Sequence, residues 1–501
     1  MTESGWKANI AIAFFLIACM IPAVGMFLLP APTPAANQRL SPLPRVWMPD
    51  GSFNQNILRE ITDYTADHIA FRQEMITARA ALNAKLFHVS SEDSVILGRD
   101  DWLFYRETLD DFLHINPISE RKLYGAAHTL ALLAEYCETR GAEFYLTVAP
   151  NKASLYGEKL LTPGKPLYGQ DNLDRLIPWL KSEGVNYIDL YSAFRNAYRE
   201  RGEILYYHTD SHWNTRGAAL AHDVLLSAMR DHYIIPEKDL FFPGAYHDGE
   251  PHRGDLYQMV YPAGNYQEPD IEFDRKFEFK YISDFRSPED QLIETESPGK
   301  SGNLLMFRDS FGNSLHQFMA DSYGKARFSR AMPVRMSLLD DNPEGDDNLN
   351  NNINHRADTV LLEIVERNLK YLSDRIPAFP APRRILDDLN LDQPDNLYHN
   401  APVINLTRAD DGAFPDLIRL SGNLADHLEA DFTPDVSSPV YAQIGKSGNN
   451  IDAVYEACLT GRDENAFALY IPEPPEDADL FVLYYNHAGI LRRVPAVIAE
   501  R

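Results

Sequence analysis

Three short apolar runs constrain the fold most. Glu143–Val148 stops at Ala149-Pro150-Asn151-Lys152, Asn303–Phe307 stops at Arg308, and Thr359–Val365 stops at Glu366-Arg367. Each has the length and apolar character of a buried strand. Helical patterns fall between them, over roughly 119–139, 171–182 and 216–230. Strand and helix alternation of this kind predicts a mainly parallel sheet with helices on both faces, an α/β three-layer domain. In such sheets ligands sit beyond the carboxyl ends of the strands.

The remaining segments are read the same way. Ser94–Gly98 and Trp102–Tyr105 suit short strands, as do Asn186–Leu190 and Ile204–Tyr207. Thr215 suits the N-cap of the helix that follows. From about Asn54 to Phe87 the spacing is helical, interrupted at Asp67-His68-Ile69-Ala70-Phe71-Arg72, whose histidine and arginine are read as structural. Residues 240–300 and 340–356 are rich in Pro, Gly, Asp and Asn and read as surface insertions. Asp340–Asn354 is taken as a solvated acidic loop rather than a calcium site. Beyond about residue 400, short alternating strands such as Phe467–Ile471 and Leu480–Tyr485 predict a smaller β-rich, sandwich-like domain.

At 501 residues the chain is too long for one ordinary core. Its formal charge of −26 disfavours nucleic acid and anionic lipid headgroups as partners. Residues 9–29 carry no charged side chain, and about 20 apolar residues suffice to cross a bilayer. An uncleaved single anchor is expected, with the bulk of the chain outside the cytoplasm; Pro34-Ala35-Ala36 leaves cleavage as the alternative. The expected division is an anchor over 1–30, a proline-rich spacer over 31–53, an α/β domain with an N-terminal helical segment over 54–380, and a β-rich domain over 381–501. Of the three cysteines, Cys137 and Cys458 alone lie in the body, in different expected domains, so no disulfide is expected.

The chemistry concentrates in two segments, His208-Thr209-Asp210-Ser211-His212-Trp213 and Arg308-Asp309-Ser310-Phe311-Gly312. In an extended segment alternate residues face the same way, so Asp210 and His212 can share a face. A carboxylate there would hold the imidazole in one tautomer, and Ser310 needs such a base to act as nucleophile. Ser310 at a strand-to-helix turn would have backbone N–H groups beside it, each worth about 3 kcal/mol to a developing oxyanion. Asn151, at another strand end, is a candidate second donor. The competing reading takes His208, Asp210 and His212 as metal ligands on one face, with His252, Asp255 or Asp309 completing the set. The serine reading is preferred, with no metal and no cofactor.

These motifs, with Asn37-Gln38-Arg39-Leu40, Gly98-Arg99-Asp100-Asp101-Trp102-Leu103-Phe104, Tyr156, Asn214, Gly254-Asp255-Leu256 and Glu363, run in an order that resembles the alginate O-acetyltransferase family. Those proteins are SGNH-hydrolase-like polysaccharide O-acetyltransferases. The resemblance implies Ser310 as nucleophile, His212 as base and Asp210 as its orienter. It also implies oxyanion or substrate contacts among Asn151, Lys152, Tyr156, Asn214 and Arg308. Arg308 departs from the glycine that SGNH enzymes more widely have before the Asp-Ser pair. The implied reaction is acetyl transfer to a polysaccharide hydroxyl, with the acetyl donor delivered by a membrane-bound acyltransferase and the catalytic domain periplasmic. A carbohydrate acetyl esterase using the same triad, and a non-catalytic polysaccharide-binding protein, remain alternatives.

Overall fold

The structure is a computed structural model that describes residues 3–29, 40–161, 169–230, 236–339, 356–385, 403–427, 433–446 and 450–499. Part of the proline-rich spacer (30–39, with Asn37-Gln38-Arg39) and the acidic loop Asp340–Asn354 lie outside the described residues.

The three apolar runs become neighbours. A seven-stranded sheet runs Tyr187–Ile188, Glu143–Ala149, Thr359–Val365, Asn303–Phe307, Lys325–Ser329, Leu292–Glu296, Lys280–Tyr281. The first five strands pair in parallel and the last two antiparallel. Both faces are buried, which explains the apolar character of the strands. Leu304, Met306, Leu361 and Val365 face one core, while Leu305, Phe307, Val360 and Leu362 face the other. Helices Glu120–Glu138 and Asn172–Ser182 cover the second face; Leu190–Arg201, Thr215–Met229 and Gly312–Ala320 cover the first. This is the expected SGNH-like α/β/α layering.

Three local expectations change. Residues 240–300 are not merely surface insertions: they supply the two antiparallel strands at one end of the sheet and a short helix, Asp255–Val260. Ile204–Tyr207 is not a sheet strand; Tyr206 makes a single antiparallel bridge to Trp213, closing a tight loop. The cap of Thr215–Met229 is Asn214 rather than Thr215, its side chain accepting from Gly217 N at 2.9 Å.

The C-terminal strands form one continuous eight-stranded sheet that curls on itself. Near its ends, Cys458 bridges Ala468 and Pro380 bridges Tyr470. The sheet encloses its own apolar core and also packs on the α/β layer, since Phe414, Cys458, Ala468 and Tyr470 share a core with the Glu120–Glu138 helix. Cys137 and Cys458 are buried and unpaired.

At the other end of the chain, α1 (Glu3–Leu28) contains Asn9–Leu28, a stretch of mean hydropathy 2.5 that is long and apolar enough to cross a membrane. Helices α2 (Ile57–His68) and α3 (Arg72–Phe87) follow, broken where Phe71 takes a left-handed φ of 59°. Just before the break Asp67 accepts from Ser41 N at 2.9 Å and Ser41 Oγ at 2.6 Å.

Candidate active site

Ser310 sits where the strand Asn303–Phe307 turns into the helix Gly312–Ala320. Gly312 is required by close approach, because a Cβ there would lie 2.6 Å from the Arg308 Cβ. Phe311 is fully buried and wedges between the two chemical segments, 4.9 Å from the rings of both His212 and Trp213. Trp213 Nε1 donates to Ser314 Oγ at 2.8 Å, a second tie between the loops.

The result is a linear array. Ser310 Oγ lies 2.8 Å from His212 Nε2, and His212 Nδ1 lies 2.7 Å from Asp210 Oδ1. Asp210 Oδ1 also accepts from His212 N at 2.9 Å. Its other oxygen is 2.8 Å from His252 Nε2 and accepts from Asp255 N at 2.9 Å. Burial opposes ionisation of Asp210, yet hydrogen bonds from His212 and His252, with their charge, hold its carboxyl well below the usual range. Burial pulls His212 down, but the Asp210 hydrogen bond and charge outweigh it and raise its affinity for a proton. His252 is raised for the same reasons while stacking on Tyr207 at 3.9 Å.

A second carboxylate stands close by. Asp255 Oδ2 is 3.6 Å from His212 Nδ1 and accepts from Ser211 Oγ at 2.6 Å. Burial and the Asp210 charge push Asp255 upward, so the two carboxylates differ in ease of ionisation. Gly254 permits this approach: a Cβ there would meet the Thr209 carbonyl oxygen at 2.1 Å.

The metal reading keeps Asp210, His212 and Asp255, whose ligand atoms lie within 4.8 Å of one another, and loses His208. His208 turns away, its ring stacked on Trp102 at 4.5 Å, and the clustered donors are Asp210, His212 and Asp255. Those donors already take part in proton-sharing contacts with Ser211, His252 and one another. Asp309 lies outside the cluster, accepting from Phe311 N at 3.0 Å and Val365 N at 2.8 Å. The Phe311 N–H is thereby engaged and does not serve as the oxyanion donor expected after Ser310.

The other candidates are held by partners within the protein. Lys152, buried, donates to the carbonyls of Leu103 (2.6 Å), His208 (2.7 Å) and Asp210 (2.9 Å), bracing the catalytic loop from below. Burial brings its pKa down to about 7. Asn151 is fully buried; its side chain donates to Asp111 at 3.2 Å and its backbone N–H to Glu366 at 2.7 Å. Tyr156 accepts from Leu205 N at 3.0 Å inside the core, and Asn214 Nδ2 donates to Ile204 O at 2.9 Å. Arg308 is buried too, donating to Asn313 Oδ1 at 2.5 Å and Pro288 O at 2.7 Å, so it shapes the serine turn rather than presenting charge.

Residues not singled out for these roles complete the site. Glu268 accepts from His208 N at 2.7 Å and Thr209 N at 2.9 Å. The Arg367 guanidinium lies 5.5 Å from the Phe311 ring and opposes protonation of His212. Ser310, His212 and Asp210 open into a cleft of about 580 Å³ whose walls include Arg253, Gln258, Glu289, Asn313 and Gln317. Tyr207, Phe273, Phe277 and Phe318 line the same cleft, so its wall pairs aromatic faces with a few placed donors and acceptors.

Residues 95–299 match the family described as SGNH hydrolase-like domain, acetyltransferase AlgX. The probable alginate O-acetylase AlgJ of Pseudomonas putida is 26% identical over 184 residues, which cover 36% of this chain and 45% of that protein. Its counterpart from Pseudomonas fluorescens is 26% identical over 178 residues, covering 35% and 43%. Over this part of its length the chain is similar to the alginate O-acetylases. It spans less than half the length of either curated relative. Among solved structures, the O-acetyltransferase domain of Pseudomonas putida AlgJ aligns with a TM-score of 0.35 at 19% identity, over 55% of this chain and 92% of that one. In this alginate O-acetylase-like chain the family match contains Asp210, His212, His252 and Asp255, whereas Ser310 falls just beyond it.

Proposed function

We propose that the protein is a serine-dependent O-acetyltransferase that modifies hydroxyls of an extracytoplasmic polysaccharide. The observation that carries this reading is the continuous array Ser310 Oγ, His212 Nε2/Nδ1, Asp210 Oδ1, with steps of 2.8 and 2.7 Å, opening on a cleft of mixed aromatic and polar lining. His212 takes the Ser310 proton as Oγ attacks the acetyl carbonyl, and returns it to the departing donor group. Acetyl-Ser310 then meets a sugar hydroxyl. His212 removes that proton, the sugar oxygen takes the acetyl group, and Ser310 recovers its hydrogen. Asp210 stays ionised throughout, holding the ring and balancing the imidazolium. Transfer, rather than hydrolysis, accords with the alginate O-acetylases to which the chain is similar.

The same reading places α1 as a single membrane anchor with the body in the periplasm, and takes its acetyl donor from a membrane-bound acyltransferase. It divides the chain at 30, 53 and 380, leaving the curled sheet of 381–501 as a second, glycan-facing domain. The test is intact-mass measurement after incubation with an activated acetyl ester. The expected result is a single acetyl adduct that Ser310→Ala abolishes, and that an oligosaccharide discharges faster than water does. An adduct that persists in Ser310→Ala removes the nucleophile; discharge to water alone makes the protein an esterase.

A further inference from the structure

The anchor does not leave the body as a free tether. The Ala70 N–H donates to the Pro22 carbonyl of α1 at 3.3 Å. Gly25 lies so close that a Cβ there would sit 2.6 Å from the Ala70 Cβ and 3.7 Å from the Phe71 ring. Both α1 residues fall inside the apolar stretch Asn9–Leu28. At about 1.5 Å per residue, Gly25 is roughly 5 Å inside the end of that stretch. The joint between α2 and α3 therefore sits at the depth where interfacial helices lie, about 5–10 Å into the headgroup and acyl boundary.

Phe71, the residue in contact with α1, begins a stripe. Met75, Leu82 and Leu86 follow at spacings of four, seven and four, which keeps them on one face of a helix with 3.6 residues per turn. They are 44%, 43%, 57% and 59% exposed, in chain order. The opposite face of α3 holds Ala80, fully buried against the body. By the same spacing Arg72 and Arg79 flank the stripe on one side and Lys85 with Glu74 on the other; the three cations can extend to phosphates while their stems stay apolar. Scattered exposed apolar residues need no explanation; an aligned face continuous with a membrane helix does.

We propose that the outward face of α3 rests in the interface of the bilayer that α1 enters, so that the body lies against the membrane surface. This rests on reading α1 as membrane-spanning. The bilayer is the occupant because the stripe starts at the anchor contact and because three of the four charges flanking it, Arg72, Arg79 and Lys85 against Glu74, are cationic in a chain of net charge −26. The test reconstitutes the full chain in phosphatidylcholine nanodiscs, with Cys19→Ser to leave only the buried Cys137 and Cys458. Spin labels are placed singly through Met75→Cys, Leu82→Cys and Leu86→Cys, with Ala13→Cys reporting α1 and Asp410→Cys the exposed C-terminal sheet. Relaxation by oxygen, which concentrates in lipid, is compared with relaxation by a water-soluble nickel chelate. The expected oxygen-to-nickel ratio at the three α3 positions is several-fold above that at 410 and approaches that at 13. A nickel-dominated signal on α3 with an oxygen-dominated one at 13 overturns the proposal while leaving the anchor standing. Low access to both reagents on α3 overturns it in favour of a protein contact. A nickel-dominated signal at 13 removes the anchor and the proposal together.

Discussion

Asp210 accepts from two histidines and two backbone N–H groups, so its position is determined from several directions at once. On the proposed reading His212 works as a base only when neutral, so its raised proton affinity should cost activity at acid pH and return it as pH climbs through a value above the ordinary 6.5. Asp210→Asn removes the raising influence. Its acid limb should move to lower pH while kcat drops by roughly 10³–10⁴, as a pH–rate profile would show. His252 acts through Asp210 and is a positioning residue. His252→Phe keeps a ring to stack on Tyr207 but deletes the donor; kcat should fall about ten- to a hundredfold at constant KM, and His252→Gln, which restores an N–H, should recover most of it. EDTA should leave turnover unchanged, with zinc restoring nothing, because the clustered carboxylates are committed to proton-sharing partners. At this scale Asp210, His212 and Ser310 were legible because alternate residues and a strand-end turn carry local signals. The tasks of Lys152 and Asn151 were not, since their partners lie about 40–215 residues away in sequence.

Among the elements, the Glu120–Glu138 helix carries the junction between the two sheets. Arg384 donates to Glu135 at 2.8 and 2.6 Å, and Thr129 Oγ1 exchanges hydrogen bonds with Leu459 at 3.0 and 2.9 Å. His128 stands between Glu183 (2.9 Å) and Glu456 (3.4 Å). Burial disfavours its charged form, but hydrogen bonds to and charge on those two glutamates raise its pKa above 6.5 in the fold. Its contribution to stability is therefore full below the unfolded value and fades as pH rises through the folded one. Thermal unfolding of the wild type should shift downward by about 2–4 °C across that window, and His128→Gln should flatten the slope while lowering the melting temperature at acid pH. The buried strands were legible as elements because both their faces are apolar. Lys280–Tyr281 and Leu292–Glu296 were not: they are short, lie in a Pro- and Asp-rich stretch, and gain their order from pairing that starts at Lys325–Ser329.

For the whole molecule, the shared core makes the two sheets interdependent. Removing 381–501 uncovers the side of the Glu120–Glu138 helix that packs on Cys458, Ala468 and Tyr470. A chain ending at residue 380 should aggregate or elute as large particles on size exclusion, rather than behave as a soluble catalytic body. The layered α/β body and the β-rich tail were both expected from periodicity. The curling of the tail into one sheet was not, because it depends on the parallel pairing of Ile404–Ala409 with Leu491–Ala499, nearly a hundred residues apart.

Lys152 has a further consequence for turnover. By gripping the carbonyls on either side of Thr209 together with that of Leu103, it ties the proposed acid–base segment to the Val95–Tyr105 hairpin before any acceptor arrives. Such an engine idles fully assembled. Its pace would then follow how quickly polymer threads past the serine, so that solvent viscosity, more than temperature-driven loop closure, governs throughput.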